Sequence, residues 1–178
     1  MRRLMFGWVA VVIALMSAPP AQSSVRSEIQ DIIGVPVYCD DVIAGTAPIT
    51  STYYKPNIAD GWFDWIDHYE GDVAIPREQV RIFLDRYTVC RQIANKWNYG
   101  WPTAQEGRKR LAVSILVVAH EARHSEQWNL GGSDALSESD ATEWSCTKGN
   151  FTWWAKQLHV STYDRRVELW NLLQGVYC

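Results

Sequence analysis

Residues 111–124 read LAVSILVVAHEARH and join an almost continuous apolar run to a pair of histidines. The run is long enough for several helical turns, and in a helix residues four positions apart lie one turn above each other on the same face. His120 and His124 have this spacing, so their imidazole rings can reach the same point in space. The run is apolar on nearly every side, which predicts a helix surrounded by the rest of the protein.

Local signals mark the limits of this helix. Thr103 and Glu106 have the spacing of a capping box, in which a hydroxyl and a carboxylate satisfy amide groups at a helix N-terminus. The helix is therefore predicted to begin near Ala104. Gly131 and Gly132 are of the residue type at which helices commonly end. The histidine pair thus lies well inside the predicted helix.

The two histidines and the residues between them form the motif H-E-x-x-H. Neutral imidazole nitrogens are good ligands for Zn²⁺, and a glutamate directly after the first histidine is placed to accept a proton from a water molecule that the ion activates. We therefore predict that His120 and His124 bind one Zn²⁺. Glu121 is the predicted general base of a hydrolytic reaction.

A site with two histidines needs a third protein ligand and one open position for water. Glu138 is the first suitable carboxylate downstream and begins a second predicted helix. Asp140 and Glu143 are the alternatives, and because the three lie on different sides of that helix, at most one of them can face the metal. We favour Glu138, with Thr142 one turn later as the partner that fixes the tautomer of a ligand histidine.

The motif at His120 to His124, followed by the E-x-x-A of Glu138 to Ala141, resembles the catalytic framework of the zincin metallopeptidases, in particular small members of the gluzincin branch. The likeness covers residues 61–147, about half of the chain. It implies an α+β fold that is mainly helical with a small edge β-sheet or hairpin. It also implies one Zn²⁺ and the cleavage of peptide bonds in a peptide or protein substrate.

The N-terminal residues have the pattern of a secretory signal peptide. Arg2 and Arg3 precede an apolar stretch from Leu4 to Met16, and small residues follow. The apolar stretch is too short to span a bilayer comfortably, so no stable membrane span is expected after cleavage. We predict a secreted or extracytoplasmic protein with a signal peptide at residues 1–21 and a single metallopeptidase domain at residues 22–178.

Composition bounds the class of protein and its partners. The chain has 178 residues, of which 47% are hydrophobic, and this suits one domain with an extensive core. Its net charge of −3 at pH 7 becomes −5 once the two arginines of the predicted signal peptide are removed. A mildly acidic protein without a basic cluster is not expected to bind nucleic acid or anionic lipid. These features do not predict an oligomeric state.

The cysteines are expected to be paired. In an exported chain an even number of cysteines usually forms disulfide bonds. Two bridges are predicted among Cys39, Cys90, Cys146 and Cys178, and three connectivities are open. A cysteine zinc site is disfavoured because no two of these residues have the close C-x-x-C spacing.

Hydrophobic periodicity and turn residues predict the remaining elements. A hairpin is expected within residues 58–75, and the family resemblance implies that extended substrate pairs with one of its strands. Pro76 is suited to the first turn of a helix. The predicted helices span Val25–Ile33, Pro76–Trp97, Glu138–His159 and Thr162–Gln174, and Val35–Tyr38 is predicted to be extended.

The chain contains ten tryptophans, an unusual number for its length. They are expected mainly to fill the core and the helix interfaces, with a carbohydrate or peptide platform as the alternative. A second functional hypothesis follows, namely a catalytically silent, disulfide-stabilised secreted binding protein on a zincin scaffold. The glutamate of the motif favours the enzyme, because a purely structural metal site has no need of a base.

Overall fold

The computed structural model describes residues 22–40, 61–65, 80–131 and 135–178. The predicted signal peptide, the predicted second strand of the hairpin and Gly132 lie outside these ranges. The described part consists mainly of helices with one small sheet, so the predicted α+β, mainly helical class is confirmed. The elements are α1 (Gln22–Ile33), β1 (Val37–Asp40), β2 (Gly61–Trp65), β3 (Val80–Asp85), a π-helical turn (Arg86–Cys90), α2 (Arg91–Tyr99), α3 (Gln105–Gly131), α4 (Glu138–Ser145), α5 (Lys148–Gln157) and α6 (Tyr163–Asn171).

The strands form one sheet in the order β1-β3-β2. β1 runs parallel to β3 and places Val37 opposite Ile82, whereas β2 runs antiparallel and places Trp62 opposite Phe83. Ile82 and Leu84 are fully buried because β3 is the central strand and α3 packs against it. The sheet therefore closes one side of the helical core, and β2 confirms the first strand of the predicted hairpin.

The helix predicted from Pro76 to Trp97 is wrong in its first half. Val80–Asp85 forms β3, a π-helical turn follows, and α2 begins only at Arg91. The side chain of Asp85 accepts hydrogen bonds from two amides of the following turn at 2.8 and 2.7 Å, which starts the helical segment at that point. Helical and alternating patterns both fit so short a run, and its β-branched and aromatic residues suit a strand that lies in the middle of a sheet.

Helix α3 lies at the centre of the described part of the protein. Its 27 residues span roughly 40 Å, and it packs against β2, β3 and each of the other five α-helices of the described ranges. Buried side chains occur on every side of it between Leu111 and Trp128. The prediction of a surrounded helix that begins near Ala104 and ends at Gly131 is confirmed. No helix in the described ranges, α3 included, has both the length and the apolar character needed to cross a membrane.

The single helix predicted from Glu138 to His159 is two helices. α4 ends at Ser145, and Thr147 has extended backbone angles before α5 begins. This break lets α5 turn Phe151 and Trp154 into the core, where both are buried. The sequence signal for the break is Thr147 itself, because threonine is a common residue type at the start of a new helix.

Two disulfide bonds, Cys39–Cys90 and Cys146–Cys178, link distant parts of the chain. The first joins β1 to the π-helical turn, and the second joins the residue after α4 to the C-terminal segment. All four cysteines are paired, as predicted, and the connectivity that the sequence left open is resolved. Disulfides persist in oxidising compartments, so these bonds indicate an extracytoplasmic location.

Candidate metal centre

Three side-chain ligand atoms converge between α3 and α4. His120 and His124 extend from the same face of α3, and Glu138 is the first residue of α4. The Nε2 atoms of the two histidines are 3.1 Å apart. The Oε2 atom of Glu138 lies 3.1 Å from His120 Nε2 and 3.6 Å from His124 Nε2. The three residues form a cluster that can hold one metal ion.

The position of Glu138 follows from the way α4 begins. The hydroxyl group of Ser137 accepts a hydrogen bond from the amide of Asp140 at 3.2 Å, and this N-cap fixes the first turn of the helix. The backbone of Ser137 is held in turn by the side-chain amide of Gln127 on α3, which bonds both its N–H and its C=O. α4 is therefore attached to α3 directly beside Glu138, which brings that carboxylate to the histidines.

The side chain of Gln127 also sets the tautomer of His124. Its Oε1 atom accepts a hydrogen bond from the amide of Ser137 at 3.2 Å, and its Nε2 atom donates to Ser137 O at 3.1 Å and to Asp140 Oδ2 at 2.7 Å. These bonds fix which end of the amide is the oxygen. Because Oε1 lies 2.8 Å from His124 Nδ1, Nδ1 must carry a proton and donate it. In neutral His124 the lone pair is then on Nε2, which faces the other two ligand atoms.

This arrangement of atoms favours a cation. Two imidazole nitrogens and a carboxylate oxygen within 3.6 Å of one another repel unless a proton or a metal ion lies between them. Burial lowers the pKa of His124, but the hydrogen bonds to Glu138 and Gln127 and the charges of Glu121 and Glu138 together outweigh burial, so the pKa is raised above its ordinary value. The negative surroundings that favour an imidazolium also favour a divalent metal ion.

The spacing of the three ligand atoms matches that of a metal site. Around a tetrahedral ion with ligand distances of about 2.0–2.1 Å, neighbouring ligand atoms are roughly 3.3 Å apart. The separations of 3.1, 3.1 and 3.6 Å bracket that value. Two imidazole nitrogens and one carboxylate oxygen are also donors that bind divalent transition metals well. The residues present therefore fit a metal ion in both distance and chemistry.

Comparison of the chain with known proteins assigns no role to this centre. No protein family, characterised protein or solved structure matches the chain. The chemistry of the centre is therefore inferred from its own ligand atoms and from the residues that hold them.

Glu121 flanks the cluster without belonging to it. It lies directly after His120 and is buried, with 4% of the residue exposed. One residue further along a helix is rotated by about 100°, so Glu121 points to the side of the histidine pair. Its charge contributes to the raised pKa of His124. The fold thus places a buried carboxylate close enough to His124 for its charge to act on the imidazole.

The alternative residues of α4 lie elsewhere. Asp140 Oδ2 accepts hydrogen bonds from Arg123 Nε at 2.8 Å and from Gln127 at 2.7 Å, and the bond from Arg123 lowers the pKa of the Asp140 carboxyl. Glu143 is exposed and is not part of the cluster. Thr142 is exposed as well, and the contact to a ligand histidine predicted for it is made by Gln127. The prediction for Thr142 is therefore wrong.

Gln127 is the residue of this centre that the sequence motif does not reveal. It follows His124 by three positions, so the two share a face of α3, and this spacing was the available signal. Glutamine is an ordinary helix former, however, and nothing local separates an orienting glutamine from a solvated one. The distinction depends on Ser137, which reaches Gln127 only through the packing of α4 on α3.

Replacing Gln127 by leucine is expected to weaken metal binding by roughly 10- to 100-fold. Leucine is of similar size but cannot hold the ring of His124 or the backbone of Ser137. Competition with a chromogenic chelator measures the affinity. Gln105→Leu, the same change at the exposed start of α3, is the control and should bind metal as the parent protein does. Parental affinity in Gln127→Leu would show that the amide does not orient the site.

Proposed function

We propose that the protein is a secreted zinc metallopeptidase, similar to the gluzincin branch of the zincins, that hydrolyses peptide bonds in a peptide or protein substrate. In this proposal His120, His124 and Glu138 bind one Zn²⁺, and Glu121 is the general base. The observation that carries the proposal is the convergence of the three ligand atoms, 3.1–3.6 Å apart, beside a buried glutamate.

The ligand set supports zinc in preference to other common ions. Two neutral imidazoles and one carboxylate are typical of hydrolytic zinc sites, which keep one position open for water or substrate. Calcium and magnesium prefer ligands that are all oxygen atoms. The side chain of Glu138 is 52% exposed, which is consistent with an open side to the centre.

The location proposed for the protein is also supported by its covalent structure. Two disulfide bonds suit an oxidising compartment. The charged, apolar and small residues at the N-terminus have the order of a secretory signal. A secreted peptidase meets its substrates in the same compartment in which these bonds form.

In hydrolysis, each residue of the centre would have a different role. A bound zinc ion would supply a Lewis acid, which acidifies a water molecule and polarises the carbonyl group of the bond to be cut. Gln127 holds the ring of His124 so that the lone pair on His124 Nε2 faces the cluster. The carboxylate of Glu121 accepts a proton from the attacking water and donates it to the departing amine nitrogen. That amine then leaves as a neutral product.

Two measurements on the purified protein test the proposal. Elemental analysis is expected to find about one zinc per chain. A fluorogenic peptide library is expected to be cleaved, with cleavage abolished by a chelator and restored by added zinc. Metal without cleavage would instead support the alternative, a catalytically silent binding protein on the same scaffold. Absence of tightly bound metal would reject the peptidase.

Replacing Glu138 by glutamine is expected to lower zinc affinity on the order of 10²-fold, because an amide oxygen carries no charge to offset that of the ion. Glu143→Gln makes the same change at an exposed position of the same helix and should leave the affinity unaltered. Metal affinity is measured for both variants by chelator competition. A larger loss of zinc affinity in Glu143→Gln than in Glu138→Gln would show that Glu143, and not Glu138, is the third ligand.

A further inference from the structure

Arg123 occupies the second variable position of the motif H-E-x-x-H and directly precedes the ligand His124. Its side chain is 22% exposed, and the motif itself gives it no part in the metal centre. Neighbouring residues of a helix are rotated by about 100°, so Arg123 projects to one side of the histidine pair. From there its side chain reaches α4, the helix that carries Glu138.

Two contacts join Arg123 to one side of α4. Arg123 Nε donates a hydrogen bond to Asp140 Oδ2 at 2.8 Å. The guanidinium carbon lies 5.7 Å from the centre of the Trp144 ring, which is within the range of a cation–π contact. Asp140 and Trp144 are four positions apart, so they lie on the same side of the helix. The Arg123 side chain therefore contacts one side of α4 over a full turn.

The guanidinium group of Arg123 is also fixed to its own helix. Arg123 Nη1 donates to Glu126 Oε2 at 3.0 Å, and this contact spans about one turn of α3. The planar group of an arginine can hold one carboxylate with Nε and another with a terminal nitrogen, a geometry that the ammonium group of a lysine does not reproduce. One rigid group thus connects a carboxylate of α3 to a carboxylate of α4.

Helix α4 buries little of its own surface. It has eight residues, all of them described, and the two that are buried, Ala141 and Ser145, have small side chains. Short helices depend on tertiary packing for their stability, and small side chains bury little apolar surface. Polar contacts with α3 must therefore supply part of what holds α4 in place.

Asp140 connects the Arg123 contact to the residue that orients His124. Asp140 Oδ2 accepts a second hydrogen bond, from Gln127 Nε2 at 2.7 Å, and Gln127 Oε1 lies 2.8 Å from His124 Nδ1. An ionised carboxylate accepts hydrogen bonds but cannot donate one, so Gln127 must present its NH₂ group to Asp140 and its oxygen to the ring. One continuous series of hydrogen bonds thus runs from Arg123 to His124.

The Arg123 contact also restrains the direction in which Glu138 points. Glu138 and Asp140 are two positions apart, so their side chains leave α4 in directions roughly 200° apart. A contact at Asp140 lies to one side of the helix axis and resists rotation of α4 about that axis. Such a rotation would move Glu138 Oε2 away from the Nε2 atoms of His120 and His124, which are 3.1 and 3.6 Å from it.

We propose that Arg123 is a positioning residue of the metal centre, which acts through Asp140 to hold Glu138 against the two histidines. The inference rests on the metal site of the proposed function but not on peptidase activity, because it is tested with metal alone. An isolated ion pair at a protein surface contributes little to stability. The pair of Arg123 and Asp140 differs, because it joins two helices and shares its acceptor with Gln127.

Arg123→Ala is expected to lower zinc affinity roughly tenfold, the lower end of the loss expected for a residue that supports the ligands. Affinity is measured by competition with a chromogenic chelator. The matched control is Arg110→Ala, because Arg110 lies on the same helix and its ion pair with Glu106 is exposed and lies within α3. This control should bind zinc as the parent protein does. Arg123→Lys should lose less affinity than Arg123→Ala, since a lysine can still pair with Asp140.

The affinities of parent and variants separate this inference from the proposed function. A parent protein that binds no zinc would overturn both. If the parent binds zinc and Arg123→Ala binds it equally well, the role of Arg123 is overturned and the metal centre stands. Equal losses in Arg123→Ala and Arg110→Ala would also overturn the role of Arg123, because removal of any positive charge from α3 would then have the same effect.

Cobalt distinguishes a displaced ligand from a general loss of stability. The geometry of a bound transition metal reports its ligand set, and Co²⁺ absorbs visible light much more strongly in a tetrahedral site than in an octahedral one. At saturating Co²⁺, Arg123→Ala is expected to absorb less than the parent and to approach Glu138→Ala, which lacks the third ligand. Parental absorption in Arg123→Ala, with lowered absorption in Glu138→Ala, would show that Glu138 still binds the metal and would overturn the inference.

A double-mutant cycle tests whether Asp140 transmits the effect. Asp140→Ala is expected to lower zinc affinity at least as much as Arg123→Ala, because Gln127 loses its acceptor as well. The double variant should match Asp140→Ala, since residues that act through one contact are not additive. A loss in the double variant equal to the product of the two single losses would overturn the route through Asp140.

Asp140→Ala also keeps the inference testable if Arg123→Ala does not fold. The side chain of Asp140 is 47% exposed, so its removal leaves no buried void. Thermal unfolding of the metal-free variants identifies those that fold. Parental zinc affinity in a folded Asp140→Ala protein would overturn the inference.

Discussion

Replacing Glu121 by glutamine is expected to leave the metal bound while lowering the turnover of a peptide substrate by a factor of roughly 10² to 10⁴. Glutamine has nearly the same shape as glutamate, so it can occupy the place of Glu121, a buried residue that is 4% exposed. It cannot accept the proton that the attacking water must lose. Metal content is measured by elemental analysis, and turnover is measured with the peptide that the library assay selects.

The control for this variant is Glu106→Gln, the same change in the exposed first turn of α3. It should keep both metal and turnover. Undiminished hydrolysis by Glu121→Gln would remove Glu121 from the mechanism. Loss of metal together with activity would also contradict the proposed role, since it would make Glu121 a support of the metal centre and not a base.

A comparably large effect, on stability, is expected from the disulfide between Cys39 and Cys90. These residues are 51 positions apart, and in the chain-entropy model a cross-link of that length stabilises by roughly 4 kcal/mol. Replacing both by alanine should therefore remove much of the roughly 5–15 kcal/mol that stabilises a typical domain. The free energy of unfolding, obtained from urea titration of parent and variant, measures the change.

The second bridge provides a matched comparison. Cys146 and Cys178 are 32 positions apart, so their double replacement by alanine should cost slightly less. The first pair should cost more for another reason as well, because Cys90 is fully buried and alanine leaves a small void there. A change below about 1 kcal/mol for the Cys39 and Cys90 pair would show that the bridge does not restrict the unfolded chain as the model requires.

Local patterns predicted the helices better than the connections between them. The apolar run of α3 is so long that only a buried helix accommodates it, and α1 was marked by apolar residues at helical spacing. The sequence predicts a helix at Val80–Asp85, because over so few positions its apolar residues fit both the helical repeat and the alternation of a strand. Pairing with β1 and β2 on its two sides makes this segment a strand. Neither pairing can be predicted from the sequence of the segment alone.

The metal cluster was predictable in part for a similar reason. The helical repeat alone brings His120 and His124 together, and Glu138 could be favoured because it starts the next helix. The role of Gln127 could not be predicted, because it depends on a contact with Ser137 that exists only once α4 has packed on α3. The burial of Phe151 and Trp154 likewise depends on the break between α4 and α5, where the sequence predicts a continuous helix.

The amide of Gln127 has a consequence for the way in which a bound ion is exchanged. One side chain holds both the imidazole of His124 and the backbone of Ser137, the N-cap residue of α4. A movement of α4 away from α3 would therefore break the hydrogen bonds that fix the His124 ring at the same time as it carried Glu138 away from the histidines. Release of an ion by such a movement would require the two helices to separate, and its rate would then depend on how rarely they do so.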